Sequence, residues 1–370
     1  MSKVKTIAFY LPQFHTIPEN DQWWGKGFTE WTNTRKAKPL FPGHYQPHTP
    51  FNNDYYDLAN PSVLERQSEL AQSYGLDGFC YYHYWFEGGK KLLEKPIEQM
   101  LANKKVTIPF CLCWANETWA RTWDGEETSV LIKQDYGNEP EWESHYKYLK
   151  QFWLDERYIK TSSGQPLMLI YKPEICDCLE QMLACWKSLA KSDGIAEPYF
   201  LVQYPSDNAS TEEYFDGVVD FEPTCTLQQM RRHPFDSLIR NCEFFLPFAF
   251  EKIKLLLGFN SFRTYSYSKC IHASMNRQFI NDGRHFLGAF TSWDNSPRKG
   301  TKGSLVFNGS TPDLFYEYLV EQIRRTNEIN GDKFLFINAW NEWAEGAHLE
   351  PDEKFEYGYL DALKRALEND

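Results

Sequence analysis

The strongest constraint on this chain is a regular alternation along its 370 residues. Short apolar runs of strand length recur from one end to the other, at residues 6–11, 78–84, 109–114, 166–171, 199–204, 217–221, 286–291 and 333–339. Between most of them lie segments with apolar residues at three- and four-residue spacing: 61–74, 92–103, 141–154, 179–191, 312–327 and 359–368. The first of these follows Asn60 and begins on Pro61, a capped start with proline at the first helical position. Eight strands with intervening helices predict a single (β/α)₈ barrel over 1–370, closed by right-handed crossovers. A doubly wound open sheet is the structural alternative. No internal repeat or low-complexity tract breaks the pattern.

Two regions interrupt it. Residues 12–60, after the first strand, form a long loop rich in aromatics, His, Asn and Pro, including Trp23-Trp24-Gly25 and His44-Tyr45-Gln46-Pro47-His48. Loops of that length are functional or disordered, and aromatic density argues against disorder. Residues 224–267 read as an insertion after the sixth strand, a lid or a partner surface.

Aromatic residues make up 17% of the chain, with 13 Trp and 22 Tyr, so stacking surface for sugars or bases is abundant. A net charge of −12 decides between them, because a phosphate backbone would be repelled; Lys104-Lys105 and Arg231-Arg232 are isolated pairs. The expected partner is an oligosaccharide or polysaccharide, not nucleic acid. No stretch is long enough to span a bilayer, and the N-terminus lacks a signal-like apolar core. Nine cysteines, an odd number, fit a reducing compartment, which predicts the cytoplasm. Cys111-Leu112-Cys113 and Cys176-Asp177-Cys178 lack paired zinc spacing and read as core, so neither a metal nor a cofactor is expected.

In a barrel, chemistry sits at the C-terminal ends of the strands. In order, those ends carry Gln13-Phe14-His15, Tyr82-His83-Tyr84-Trp85, Trp114-Ala115-Asn116-Glu117, Tyr171-Lys172, Tyr204, Asp220-Phe221-Glu222, Trp293-Asp294-Asn295 and Trp340-Asn341-Glu342. Almost every end joins an aromatic to a polar or ionisable side chain, and the opposite ends do not. The eighth is the most pointed: Trp340-Asn341-Glu342-Trp343-Ala344-Glu345-Gly346 sets two carboxylates three residues apart among tryptophans. Glycoside cleavage needs one carboxyl group to protonate the leaving oxygen and a second as base or nucleophile. A neighbouring carboxylate and aromatic packing would raise the pKa of one member. The bland alternative is a loop with two solvated glutamates. No G-x-S-x-G, P-loop, G-x-G-x-x-G, H-E-x-x-H or D-x-D motif offers another chemistry. The candidate catalytic residues are Glu342 and Glu345. The substrate-binding candidates are Tyr10, Gln13, His15, Trp31, His44, Tyr82, His83, Trp85, Trp114, Asn116, Glu117, Arg121, Trp293, Asp294, Trp340 and Asn341.

These residues also carry a resemblance. Ala8-Phe9-Tyr10-Leu11-Pro12-Gln13-Phe14-His15, Gly27-Phe28-Thr29-Glu30-Trp31, Gly78-Phe79-Cys80-Tyr81-Tyr82-His83-Tyr84-Trp85, Trp114-Ala115-Asn116-Glu117, Trp293-Asp294-Asn295-Ser296-Pro297-Arg298 and Asn341-Glu342-Trp343-Ala344-Glu345-Gly346 resemble the WbsX-like proteins, over about residues 4–365. Those proteins belong to surface-polysaccharide gene clusters and carry a glycosyltransferase label. They are similar, distantly, to glycoside hydrolase family 99, the endo-α-mannosidases, which are (β/α)₈ barrels. The resemblance implies that Glu342 deprotonates the substrate 2-hydroxyl and that Glu345 is the general acid/base at the glycosidic oxygen. The implied route is retaining, through a 1,2-anhydro sugar. The long first loop, with Trp23, Trp24, His44 and His48, does not map onto the mannosidases, which leaves the sugar open. Three functions follow: a retaining glycosidase acting on α-linked, mannosyl-like glycans, a glycosyltransferase or transglycosylase in O-antigen or capsule assembly, and a non-catalytic glycan-binding protein.

Overall fold

The computed structural model describes residues 3–121, 126–203, 214–232, 261–278 and 280–369. Its centre is a ring of parallel strands: β1 (Lys5–Tyr10), β2 (Gly78–Trp85), β3 (Phe110–Trp114), β4 (Leu167–Ile170), β5 (Tyr199–Val202), β6 (Gly217–Val219), β7 (His285–Phe286), β8 (Gly288–Phe290) and β9 (Phe334–Asn338). The predicted seventh strand is split. Its first half, β7, pairs with β6, and its second half, β8, pairs with β9, so the two halves together close the sheet. β9 then pairs with β1, Thr6 opposite Leu335 and Ala8 opposite Ile337. The fold is a (β/α)₈ barrel, and the open-sheet alternative is set aside.

The strands are apolar on both faces because helices cover the outside and side chains fill the inside. α3 (Pro61–Ser73), α4 (Lys95–Ala102), α5 (Glu139–Trp153), α6 (Leu179–Ser192), α10 (Pro312–Asn327) and α11 (Gly358–Glu368) lie within a few residues of their expected bounds. The Asn60 cap is present, its side chain accepting from Ser62 N, with Pro61 at the first helical position.

Structure also appears where none was assigned. The loop after β1 holds two short helices, α1 (Pro18–Trp24) and α2 (Glu30–Lys36), the second opened by a Thr29–Thr32 capping box. The insertion begins as α7 (Thr224–Arg232), and Ser261–Ser266 pairs in parallel with Lys302–Asn308 before α8 (Tyr267–Met275). Residues 233–260, most of the expected insertion, lie outside the described residues, as does Tyr204. A second unassigned pair, Trp119–Arg121 with Glu126–Ile132, projects beyond β3. No helix among the described residues is long and apolar enough to cross a membrane.

Candidate active site

After β9 the chain turns back as a hairpin, β10 (Asn341–Glu342) against β11 (Ala347–His348), with one 3₁₀ turn at Trp343–Glu345. Gly346 closes the turn at φ +63°, and a side chain there would meet Asp294 Cβ at 3.1 Å. The hairpin is clipped down at several points. Asn341 accepts from Leu11 N at 2.8 Å and donates to Leu11 O at 3.0 Å, tying it to the end of β1. Trp343 stacks on His348 with centroids 3.8 Å apart and donates its Nε1 to the buried Glu350 at 2.7 Å. Asp294 N donates to Glu345 O at 2.6 Å.

This framework presents both glutamates to one guanidinium. Arg298, on α9 (Ser296–Lys299), donates from Nη1 to Glu345 Oε1 at 2.5 Å and from Nη2 to Glu342 Oε2 at 3.0 Å. The same Nη2 donates to Glu30 Oε2 at 2.9 Å, and Nε reaches that oxygen at 3.1 Å. Three carboxylates thus share one cation, Glu30 with its side chain fully buried and Glu345 with a fifth of its side chain open. Burial pushes the Glu342 carboxyl up to about 8; Arg298 opposes, while Glu345 and Glu30 add to the rise. Burial raises Glu345 as well, again against Arg298. Full ionisation would leave two uncompensated charges in a low dielectric, so the cluster retains a proton near neutrality. The expectation that packing and a neighbouring carboxylate raise one pKa holds in direction, with burial as the larger cause.

The glutamates floor a cleft of about 230 Å³ at the C-terminal mouth of the barrel, lined also by Gln13, Tyr82, Tyr84, Glu117, Trp119, Tyr171, Phe221, Trp293 and Asn338. Gln13 Nε2 and Trp293 Nε1 are buried there without a hydrogen-bond partner among the described residues. Buried donors are normally satisfied, so the cleft suits a ligand or waters rich in acceptor oxygens. Glu117 is met by Lys172 Nζ at 2.5 Å.

Of the sequence candidates, Glu342, Glu345, Gln13, Tyr82, Glu117 and Trp293 converge on this cleft. Others face away, largely for a reason of parity. Adjacent strand residues point to opposite faces. Tyr10 therefore turns outward to Gln67 on α3 (2.6 Å), while its neighbour Phe9 packs inside against Phe221. His83 turns outward to His145 on α5 (2.8 Å), between Tyr82 and Tyr84, which line the cleft. Trp114 and Trp340 are likewise buried outside the ring, against Trp186 and Phe79. Trp85 stacks on His145. His15 bonds Pro12 O, Trp31 donates to Tyr56 O beneath Trp343, and Asn116 bridges the Lys172 backbone; with Asn341, all are supports, not lining. The side chain of Arg121 lies outside the described residues.

His44 and Asp294 line a different cavity, of about 240 Å³, behind the hairpin. Asp294 accepts from His44 Nε2 (2.7 Å), Gln46 Nε2 (2.5 Å) and Ser296 N (2.9 Å). Burial works against its ionisation, but those bonds hold it below the ordinary carboxylate range. The same cavity contains His48 and His348, both lowered by burial, His48 to about 3. The cysteines of β2 and β3, Cys80, Cys111 and Cys113, are buried in the core. Asp220 and Glu222, the nearest approach to a D-x-D motif, are both bound by Arg277.

The residues at this site that sequence reasoning does not single out are chiefly Arg298 and Glu30. Both lie within the quoted motifs, but nothing in their spacing announces that they meet 268 positions apart.

With this geometry in place, comparison with known proteins is direct. The family model described as glycosyltransferase WbsX matches residues 6–363. The chain belongs to the WbsX family. It is 37% identical over 364 residues to WxcX, an uncharacterized protein of two Xanthomonas campestris pv. campestris strains. That match covers 98% of this chain and 49% of WxcX, so the chain spans about half the length of these curated relatives. Among solved structures, an endo-α-mannosidase of glycoside hydrolase family 99 from Bacteroides thetaiotaomicron aligns over 98% of this chain and 95% of its own, with TM-score 0.52 and 15% identity. A glycoside hydrolase-like protein aligns over 99% and 94%, with TM-score 0.57 and 12% identity. At such identities the likeness is one of fold. Family and fold are thus fixed: a WbsX-family chain on a (β/α)₈ barrel.

Proposed function

We propose that this WbsX-family chain, taken as one catalytic domain over 1–370, is a retaining glycosidase-type enzyme acting on α-linked, mannosyl-like glycans. The observation that carries the reading is the pair Glu342 and Glu345, held on one hairpin by Arg298 at the floor of an aromatic cleft. In the first step Glu342 takes the proton of the sugar 2-hydroxyl as that oxygen attacks the anomeric carbon. The glycosidic bond breaks, and Glu345 gives its proton to the departing oxygen. The product is a 1,2-anhydro sugar. Glu345 then deprotonates a water that opens the three-membered ring at the anomeric carbon, and Glu342 returns its proton to the 2-oxygen. Two inversions give net retention. The guanidinium contributes by fixing both carboxyl groups while leaving one proton among three acids.

The description of the family as a glycosyltransferase favours a second reading, in which an acceptor hydroxyl replaces the water in the second step. One experiment addresses both. A panel of α-linked oligosaccharides is incubated with wild type and with Glu345→Gln, with and without acceptor sugars, and the first-formed anomer is read by NMR. Retained products from wild type alone support the reading. Full turnover by Glu345→Gln, or inverted products, overturns it; products formed only with acceptor select transfer.

A further inference from the structure

Behind the hairpin, three side chains from two distant parts of the chain converge on one point. His48 comes from the long loop after β1, His348 from β11, and Asp352 from the segment that follows it. All three are buried, and one ligating atom of each lies within 4.8 Å of the other two. We propose that His48, His348 and Asp352 form a binding site for a first-row divalent cation of the zinc type.

His348 Nδ1 lies 2.9 Å from Glu350 O, a carbonyl that can only accept, so Nδ1 carries the proton and Nε2 presents a lone pair. His48 Nδ1 stands 2.8 Å from that lone pair, and Asp352 Oδ2 stands 3.9 Å from it on the same ring nitrogen. A proton on His48 satisfies the first contact and leaves the second as two acceptors facing each other in a buried place. A cation serves all three at once. The backbone carbonyl on the far side of His348 is the outer partner that fixes the tautomer of metal-ligating imidazoles. Asp352 is likewise oriented, Oδ1 accepting from Lys354 N (3.0 Å) and Phe355 N (2.6 Å) while Tyr45 OH donates to Oδ2 at 3.2 Å.

The spacing fits. Bonds of about 2.0–2.2 Å in a tetrahedron set ligand atoms roughly 3.3 Å apart. The two contacts of 2.8 and 3.9 Å bracket that value and the remaining pair lies within 4.8 Å, so side-chain shifts without movement of the backbone elements bring all three to one ion. Two imidazoles and one carboxylate suit zinc and its neighbours better than calcium or magnesium, which prefer oxygen. A fourth position faces the cavity of about 240 Å³, where Thr291 Oγ1 is buried without a partner among the described residues. The ion would join the first loop to the hairpin that carries Glu342 and Glu345. Its presence does not depend on the reaction assigned to those glutamates.

The test uses the full chain, stripped with a chelator and titrated with Zn²⁺ alone, with calorimetry and elemental analysis giving stoichiometry. We expect one equivalent bound, a higher Tm with the ion, and intense visible bands on Co²⁺ substitution that mark four-coordination. His48→Gln and Asp352→Asn each weaken binding roughly 100-fold or more, beyond the loss of an outer partner. Each variant's circular dichroism and metal-free Tm show that it folds. His272→Gln with His285→Gln, both outside this cluster, leaves uptake intact. No stoichiometric zinc in folded wild type, or unchanged affinity in both folded site variants, overturns the proposal.

Discussion

Arg298→Met removes the one guanidinium among the described residues that touches Glu30, Glu342 and Glu345, and its consequences can be worked through. At contacts of about 3 Å and an effective dielectric of about 20, each pair contributes roughly 5 kcal/mol of attraction before desolvation. Removing one partner from a buried pair costs about 3–5 kcal/mol. Here the loss has an escape, because the abandoned carboxylates can take up protons. Arg298 lowers the pKa of Glu342 and Glu345, so its removal raises both further above their unfolded values. The folded variant then binds more protons than the unfolded chain over a wider range than wild type does. A carboxyl whose folded pKa is raised contributes stability that is fully present below its unfolded pKa, and that is lost as pH climbs through the folded one. The deficit of Arg298→Met is therefore smallest near pH 4 and grows with pH, by about 1.4 kcal/mol per unit for each extra proton held.

Between pH 5 and pH 7 one extra proton gives a widening of about 3 kcal/mol, readable from urea denaturation of both proteins at several pH values. Arg298→Lys keeps a point charge without the fork and recovers only part of it. A deficit that stays flat within about 1 kcal/mol across this range would refute the reasoning. It would mean that Arg298 acts by packing and not by setting the protonation of the three acids.

Other outcomes follow from the same geometry. If Glu342 is the base, kcat/KM rises with pH toward an apparent pKa near 8 that belongs to the coupled pair, and full activity at pH 5 in a pH–rate profile counts against that role. Glu345→Gln loses about 10²–10⁴ in kcat on substrates with poor leaving groups while oligosaccharide binding, followed by calorimetry, persists; restored rate with an activated aryl leaving group would locate the loss at protonation. Gly346→Ala, at φ +63° and against Asp294, costs about 1–3 kcal/mol and lowers Tm and activity together. Trp293→Phe keeps the aromatic face but deletes a buried donor, so KM rises more than kcat falls in steady-state kinetics.

Much of the fold was legible because its signals are local. Runs such as 109–114 and caps such as Asn60-Pro61 announce strands and helix starts within a few residues. The rim can be read too, since the strand ends within the described residues fall close to where the sequence places them, but the side of the strand cannot. The sequence points to Tyr10, His83 and Trp114, whereas their neighbours Leu11, Tyr84 and Ala115 line the cleft. An all-apolar strand carries no alternation to say which residue points inward, because both faces are buried. Long-range encounters were out of reach for a different reason. Glu30 with Arg298, and His48 with His348, depend on where a 49-residue loop folds back, and no spacing rule connects positions so far apart.

The hairpin explains how a charge arrangement that costs stability can persist. Three acids about one base would relax by turning a carboxylate to water, and Glu345, the most open of them, has a route to do so. The backbone closes that route. Asp294 N holds Glu345 O, Gly346 supplies the only kind of residue that turns the chain there without strain, and Asn341 and Trp343 pin the two sides of Glu342 to β1 and to Glu350. Asp294 is itself fixed by His44 and Gln46 from the first loop, so the wall of the second cavity is also the back of the glutamate pair. Rigidity bought in one place lets the other keep its proton. The aromatic loop that interrupts the barrel pattern thus holds the two glutamates in place as much as the strand ends it covers.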